Sequence, residues 1–327
     1  MSGKVKSFED IRNIPKEELR YKGRFQQILI YLGKLFRMFV FQSDWKVLPM
    51  AAVIAGLVCY VVGANLFKTM EGTLLGTFAM SCICIWNGFF NSIQVICRER
   101  PIIKREHRSG MHISSYIAAH MIYQAFLCLG QTAVTILICK MMHVAFPMKS
   151  LVTGNALLDM GISIFLTTYA ADMMSLMTSA IVHSTTTAMT VMPFLMIFQL
   201  VFSGGFFSLT GNAEKLTNLT VAKWGLTAFC AQGYYNDLPM VTMWNAMYKM
   251  KDVEYEGMYP VQAVLTMIEE NGGRDELLLE CAKYNQNAQY VSTMENVVNC
   301  WIKLILFIVM FACIAVGFLE YIDKDKR

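Results

Sequence analysis

Residues 98–110 read RERPIIKREHRSG and lie between two long apolar runs, 74–97 and 113–138. The segment holds five Lys/Arg and two Glu in thirteen residues. Runs near ~20 apolar residues match the ~30 Å hydrocarbon layer of a bilayer, so the flanking stretches read as membrane helices. A segment this charged cannot rest in hydrocarbon and must emerge into water between them. Its basic excess assigns that water to the cytoplasm. The chain is thereby constrained to thread a membrane, with a charged elbow that sets its orientation.

Composition agrees. The 327 residues are 55% hydrophobic and only 16% charged, with mean hydropathy +0.43, too apolar for an ordinary soluble domain. The short alternating segments of a barrel are absent. The expected fold class is all-α, a polytopic membrane protein. Residues 1–23 are charged and mixed in sign, and read as a cytosolic tail. Residues 24–43 read as an amphipathic helix in the inner membrane interface. Ile28, Leu32, Leu35, Phe36 and Phe39 share one face, and Gln27, Tyr31, Lys34 and Arg37 lie on or beside the other, with the basic residues toward the lipid headgroups.

Residues 44–327 then hold six expected transmembrane helices, at about 47–67, 74–97, 113–138, 151–181, 187–202 and 297–319. An even count puts both termini on one side. Lys/Arg number ten in 1–46, five in 98–110 and three in 320–327, whereas the short opposite loops hold only Lys68, Lys140 and Lys149. Both termini and the elbow are therefore expected in the cytoplasm, and the protein in the plasma (cytoplasmic) membrane. Residues 204–296 fall outside. The part to 235 is apolar, broken by Gly, Thr and Asn, and reads as re-entrant helices. The rest reads as a small external cap with helices at 261–270 and 276–284. Most of the ten cysteines fall in apolar runs; Cys230 and Cys281 fall in the external stretch, where a disulfide is one option.

No G-x-x-x-x-G-K-[ST] loop, no H-E-x-x-H and no G-x-S-x-G occurs, and the five histidines show no metal-ligand spacing. No catalytic residue, metal site or bound cofactor is expected, and the expected surroundings are a lipid bilayer, not nucleic acid. In the elbow, Glu99, Arg100, Lys104, Arg105, Glu106 and His107 can form a short helix ending at Gly110, a residue suited to a left-handed stop. Such a helix offers both signs of charge to a partner; a solvated basic loop is the other reading. Inside the membrane, Asn87, Asn91 and Gln94 form a polar stripe that faces either a cleft or a neighbouring helix. Tyr116, His120, Gln124, Gln131 and Thr135 share one side of the third run. Asp172 lies in the fourth, where an aspartate costs ~2.5–3.5 kcal/mol on insertion scales. It reads as a cavity or relay residue, or as a structural group bonded to His120 or Tyr116.

Three stretches, in order, carry a family resemblance. Glu99, Glu106 and Ser109-Gly110, followed by Ser114-Ser115-Tyr116, resemble the coupling-helix region of the G-subfamily of ATP-binding cassette transporters, with its E-x(6)-E-x(2)-S-G pattern. Phe202-Ser203-Gly204 with Leu209-Thr210 resembles the end of that family's fifth span. Lys223-Trp224-Gly225-Leu226-Thr227-Ala228 resembles its re-entrant segment. The resemblance implies the permease half of a dimeric exporter, as a homo- or heterodimer. It would be driven by an ABC ATPase, which holds the ATP and Mg, on a separate chain or a detached domain. It implies contact with that ATPase through Glu99, Arg100, Lys104, Arg105, Glu106, His107 and Gly110. A substrate cleft is expected from Asn87, Phe90, Asn91, Phe198, Gln199 and Phe202, and a gate from Gly204, Gly205, Phe206 and Phe207. Drug-exporting relatives carry an aromatic near Asn87, so a flat hydrophobic-drug clamp is not expected. The competing reading is a membrane enzyme or sensor that uses Asp172 and His120 beneath a ligand-binding cap.

Overall fold

The computed structural model describes residues 23–41, 44–147, 149–205 and 211–321. The helices run α1 Arg24–Phe41, α2 Val47–Val62, α3 Met70–Ser92, α4 Val95–Arg108, α5 Ile113–Met141, α6 Ala156–Ile181 and α7 Thr185–Val201. They continue as α8 Asn212–Thr217, α9 Val221–Gln232, α10 Thr242–Lys249, α11 Pro260–Glu270, α12 Arg274–Tyr284 and α13 Met294–Glu320. No strand occurs among the described residues, and the protein is an all-α polytopic membrane protein. The stretch Met70–Arg108 and the helices α5, α6 and α13 are long and apolar enough to cross a bilayer. α2 and α7 are shorter apolar helices of 16 and 17 residues. α2 stops at Val62, not at 67 as expected: the chain turns there and buries Leu66 and Phe67 beneath the turn. The tail before residue 23 lies outside the described residues.

Side-chain caps start α3, α6, α7 and α13. Thr69 accepts from the amide of Gly72, Ser184 from Thr187 and Thr293 from Asn296, each taking up an amide that the helix leaves unpaired. Asn155 does the same for Leu157. One turn further, Asp159 gathers the amides of Leu151, Val152 and Thr153 and the Ser150 hydroxyl. This folds 150–154 into a tight turn, so the helix starts at Ala156 although the apolar run begins at 151.

α6 is the centre of the bundle. It packs on α3, α13, α9 and α5. Its crossing with α3 is closest at Gly88, where a Cβ would lie 2.5 Å from the Thr168 carbonyl oxygen and 2.7 Å from the Asp172 amide. Small residues allow this approach, which in a membrane lets van der Waals contact and hydrogen bonds hold helices together. α9 falls in the stretch expected to be re-entrant. It is inserted among α3, α6 and α13, with Ala222, Leu226, Phe229 and Cys230 fully buried and Gly225 against Thr167. α7 differs: only Ala188, Met192, Met196 and Gln199 are buried, one stripe, while Phe194 and Ile197 are exposed.

At the end of the bundle away from the elbow, α10, α11 and α12 enclose a small core of Trp244, Leu265 and Leu278. α10 is a helix the sequence reading did not expect. Glu71, in the first turn of α3, accepts from the Val241 and Thr242 amides and the Thr242 hydroxyl, and so pins this cap to α3. Cys230 lies 3.1 Å from the Thr77 hydroxyl and Cys281 lies beside the Met243 sulfur. Both thiols are free, which rules out the disulfide considered for them.

Candidate functional site: the elbow and the polar layer behind it

The apolar run into the elbow is not one helix. α3 ends at Ser92, the chain turns at Ile93 and Gln94, and α4 starts at Val95. Ser179 Oγ, from α6, accepts from the amides of both Ile96 and Cys97 at 3.1 Å. These are first-turn amides with no partner inside α4, so a hydroxyl 82 residues beyond Cys97 supplies its cap. The far end closes as expected. Gly110 has φ +97°, the Gly110 amide bonds to the His107 carbonyl, and the Met111 amide to that of Glu106, a Schellman stop.

The charges of α4 are sorted by face. Glu99 is buried; its Oε2 accepts from Lys34 Nζ at 3.3 Å and the Tyr116 hydroxyl at 3.2 Å. Glu106 accepts from the Tyr31 hydroxyl at 2.8 Å. Gln27 donates to the Gly110 carbonyl and accepts from the His112 amide. Gln27, Tyr31 and Lys34 fall at i, i+4 and i+7 on α1, so that helix lies antiparallel along the elbow, its polar face fastened to it. Lys34 was expected to point to headgroups; it is turned inward instead. The adjoining flank of α1, one turn on from Tyr31, buries Leu35 against Ala119 and Tyr123 of α5, with Ile28, Leu32 and Phe39 around it. Burial first, then the Glu106 carboxylate, push the Tyr31 phenol well above its ordinary range, so it remains a proton donor. Arg100 also turns inward, donating to the Ala180 and Val182 carbonyls at the end of α6, 2.9 Å each.

The structure divides the expected partner-contact set between two faces. Glu99, Arg100 and Glu106 are held within the chain. The outward face of α4 consists of Arg98, Pro101, Ile102, Arg105 and Arg108, with Ile102 40% exposed. The charges on this outward face are therefore all basic, while Glu106 is half-buried. Lys104 and His107 sit at its flanks, half-buried, and His107 Nδ1 lies 3.1 Å from the Met111 carbonyl oxygen.

Behind the elbow lies a polar layer. Asp172 is completely buried and accepts from Ser92, from Asn91 at 3.3 Å and from the Cys128 thiol at 3.3 Å. Asn91 and Gln131 exchange a reciprocal pair of amide bonds, 3.0 Å each. The layer joins α3, α5 and α6, and it meets the requirement that a buried carboxylate be hydrogen-bonded. Asp172 bonds neither His120 nor Tyr116. His120 instead stands with its ring 4.6 Å from that of Tyr116, and among the described residues no group bonds to either of its nitrogens.

Of the expected cleft residues, Asn87 and Phe90 line a mostly apolar cavity of about 270 Å³ with Trp86 and Gln131. Asn91 belongs to the polar layer. Gln199 does not face a cleft: it is buried, donates to the Met174 sulfur and accepts from the Ala222 amide, tying α7 to α6 and α9. Phe198 and Phe202 meet each other at 4.9 Å between ring centres. Gly204 has φ +78°, and Gly205 lies against Leu226, where a Cβ would come within 2.7 Å. Phe206 and Phe207 lie outside the described residues. Sequence reasoning missed Ser92, Cys128 and Ser179 as partners, since a small hydroxyl or thiol in an apolar run carries no signal of what it meets. The heptad spacing of Glu99 and Glu106, matched by Gln27, Tyr31 and Lys34, was a readable sign of the clamp.

The chain matches the ABC-2 type transporter family over residues 26–224, more than half its length, and the match includes the elbow and most of the bundle. It is 26% identical over 149 residues to the ABC transporter ATP-binding/permease protein Rv1747 of Mycobacterium tuberculosis, a stretch covering 45% of this chain and 17% of that relative. The chain thus spans a small part of the curated relative it matches. With its apolar helices and this match, the chain belongs to the ABC-2 type transporter family as an integral membrane permease.

Proposed function

We propose that the chain is the membrane half of an ATP-driven exporter that works as a dimer, moved by an ABC ATPase gripping the outward face of α4 from the cytoplasm. The observation that carries this is the sorting of charge on α4. Glu99 and Glu106 are held inside by Lys34 and Tyr31, while Arg98, Arg105 and Arg108 surround Pro101 and Ile102 outside. A solvated loop has no reason to separate its signs in this way. A docking helix does: inward bonds make it a rigid lever on α1 and α6, and the outer face suits an acidic, partly apolar groove. The basic excess supports a cytoplasmic side for that face and both termini and an outer side for the cap. The relative's name joins ATP-binding and permease functions in one protein, which fits a partner ATPase that holds the ATP and Mg. The bare face of α7, with Phe194 and Ile197, suits a second permease copy. The cleft would open along that boundary, lined by Asn87, Phe90, Phe198 and Phe202, with Gly204–Phe207 as its gate.

An enzyme or sensor built on Asp172 and His120 is disfavoured, because the two do not meet and Asp172 already has three donors. The test is ATP-dependent cargo accumulation in inverted vesicles that hold the chain and its co-purifying ATPase. Transport lost on Arg105→Glu, at unchanged expression, supports the assignment; transport unchanged by that variant opposes it.

A further inference from the structure

α13 is an apolar helix long enough to cross the bilayer, and Lys303 is the one cation between Met294 and Glu320. It lies nine residues past Met294, roughly 14 Å along the axis at ~1.5 Å per residue. An ionised side chain at such depth is costly unless it is paired or reaches the interface. Among the described residues no carboxylate pairs with Lys303. Its contact is aromatic: Nζ stands 5.9 Å from the centre of the Trp224 ring, on α9. Lys223 Nζ stands 5.4 Å from the same ring and donates to Asn218 Oδ1 at 2.7 Å. The indole is itself fixed, its N–H donating to the Asn218 carbonyl at 3.1 Å. Two ammonium groups gathered at one indole repel each other, and the ring offsets only part of that repulsion. An anion shared between them would remove it.

The surroundings indicate which anion. Asn299, Lys303, Leu306 and Met310 fall at i, i+4, i+7 and i+11, one stripe of α13. Asn299 is exposed, Lys303 is half-buried, and Leu306 and Met310 are 56% and 42% exposed. From the cap side inward the stripe therefore reads amide, cation, apolar, apolar. The acid above it, Glu295, lies two turns from Lys303, about 12 Å along the axis and out of pairing reach. Exposed apolar side chains on a spanning helix meet lipid chains, and Trp and Lys settle at the level of the head groups. The order along the stripe is that of a phospholipid: head group, phosphate, chains. A water-soluble anion gains nothing from Leu306 and Met310, and a lipid without phosphate gives the two ammonium groups no counter-charge. We propose that Lys303, Lys223 and Trp224 form a site for the phosphate of a phospholipid in the leaflet nearer the cap, its head group beside Asn299 and its chains along Leu306 and Met310. The site needs only that α13 spans the bilayer, and is independent of ATP coupling and of transport direction.

The test uses the full chain with whatever ATPase co-purifies, in mild detergent, and counts retained lipid by mass spectrometry of the intact assembly. Two probes share oleoyl chains and a hydroxyl-bearing head group and differ in the phosphate: dioleoyl phosphatidylglycerol and monoglucosyl dioleoylglycerol. Phosphatidylglycerol should be retained in preference. Lys303→Gln should weaken its retention about tenfold, the loss expected for one charged hydrogen bond, and Lys303→Arg should keep it. Lys223→Gln should weaken it several-fold, and it reads the same site if Lys303→Gln does not fold. Lys140→Gln, which removes the same charge at the exposed end of α5, should leave retention unchanged. Soluble glycerol phosphate at matched concentration should not compete. Equal retention of the two lipids, retention untouched by Lys303→Gln and Lys223→Gln, or an equal loss in Lys303→Arg or Lys140→Gln would overturn the site. Competition by glycerol phosphate would overturn the lipid as its occupant.

Discussion

The two faces of α4 are built to opposite plans. Inward, Ile96, Glu99 and Ile103 are buried, and each acid has a named partner on α1 or α5. Outward, arginines flank Pro101 and Ile102, with no acid fully exposed. The inner face therefore holds the fold, and on the proposed reading the outer face meets another molecule. Substitutions on the two faces should separate these roles, the inner ones lowering stability and the outer ones lowering association.

The largest loss of stability should follow Glu99→Ala. It leaves Lys34 and Tyr116 facing a buried gap, and since Lys34 is partly exposed the cost should be about 2–3 kcal/mol, below the range for a fully buried pair. Thermal unfolding in detergent measures it, and Glu99→Ala combined with Lys34→Ala should cost less than the sum of the two. A loss under ~0.5 kcal/mol, the scale of an ordinary surface change, would mean that the inner face is not structural. Arg100→Ala comes next, because two carbonyls at the end of α6 lose a charged donor; about 1–2 kcal/mol is expected. Tyr31→Phe removes one hydrogen bond to Glu106 and should cost about 1 kcal/mol by the same assay. Arg105→Glu should fall within ~0.5 kcal/mol of wild type in stability. If Arg105→Glu unfolds the protein as readily as Glu99→Ala, the two faces are not distinct.

Much of the fold could be read from the sequence, because apolar runs of membrane length have few alternatives. The six runs are helical in the expected order, with the second broken at Ile93–Gln94 and four stretches long enough to cross a bilayer, and Gly110 ends the elbow as its backbone freedom suggested. What escaped the reading depends on partners far along the chain. Ile93, Val95, Ile96 and Cys97 continue an apolar run, so nothing local marks the break that Ser179 stabilises. Amphipathicity separated the faces of α1 but could not say that Tyr31 and Lys34 meet acids, not headgroups. Gln199 fell on the side expected to line a cleft, yet an amide of α9 occupies it. Asp172 was legible as a group that needed partners; their identity, Ser92, Asn91 and Cys128, was set by the close crossing at Gly88.

The proposed role of the outer face is tested most directly by isolating the chain from membranes with whatever ABC ATPase co-purifies and comparing wild type, Arg105→Glu and Tyr31→Phe. The ATPase should be lost from Arg105→Glu at unchanged melting temperature, and kept by Tyr31→Phe at a lowered one. An ATPase that stays bound to Arg105→Glu, or leaves only when the fold is weakened, would contradict docking through the basic face of α4.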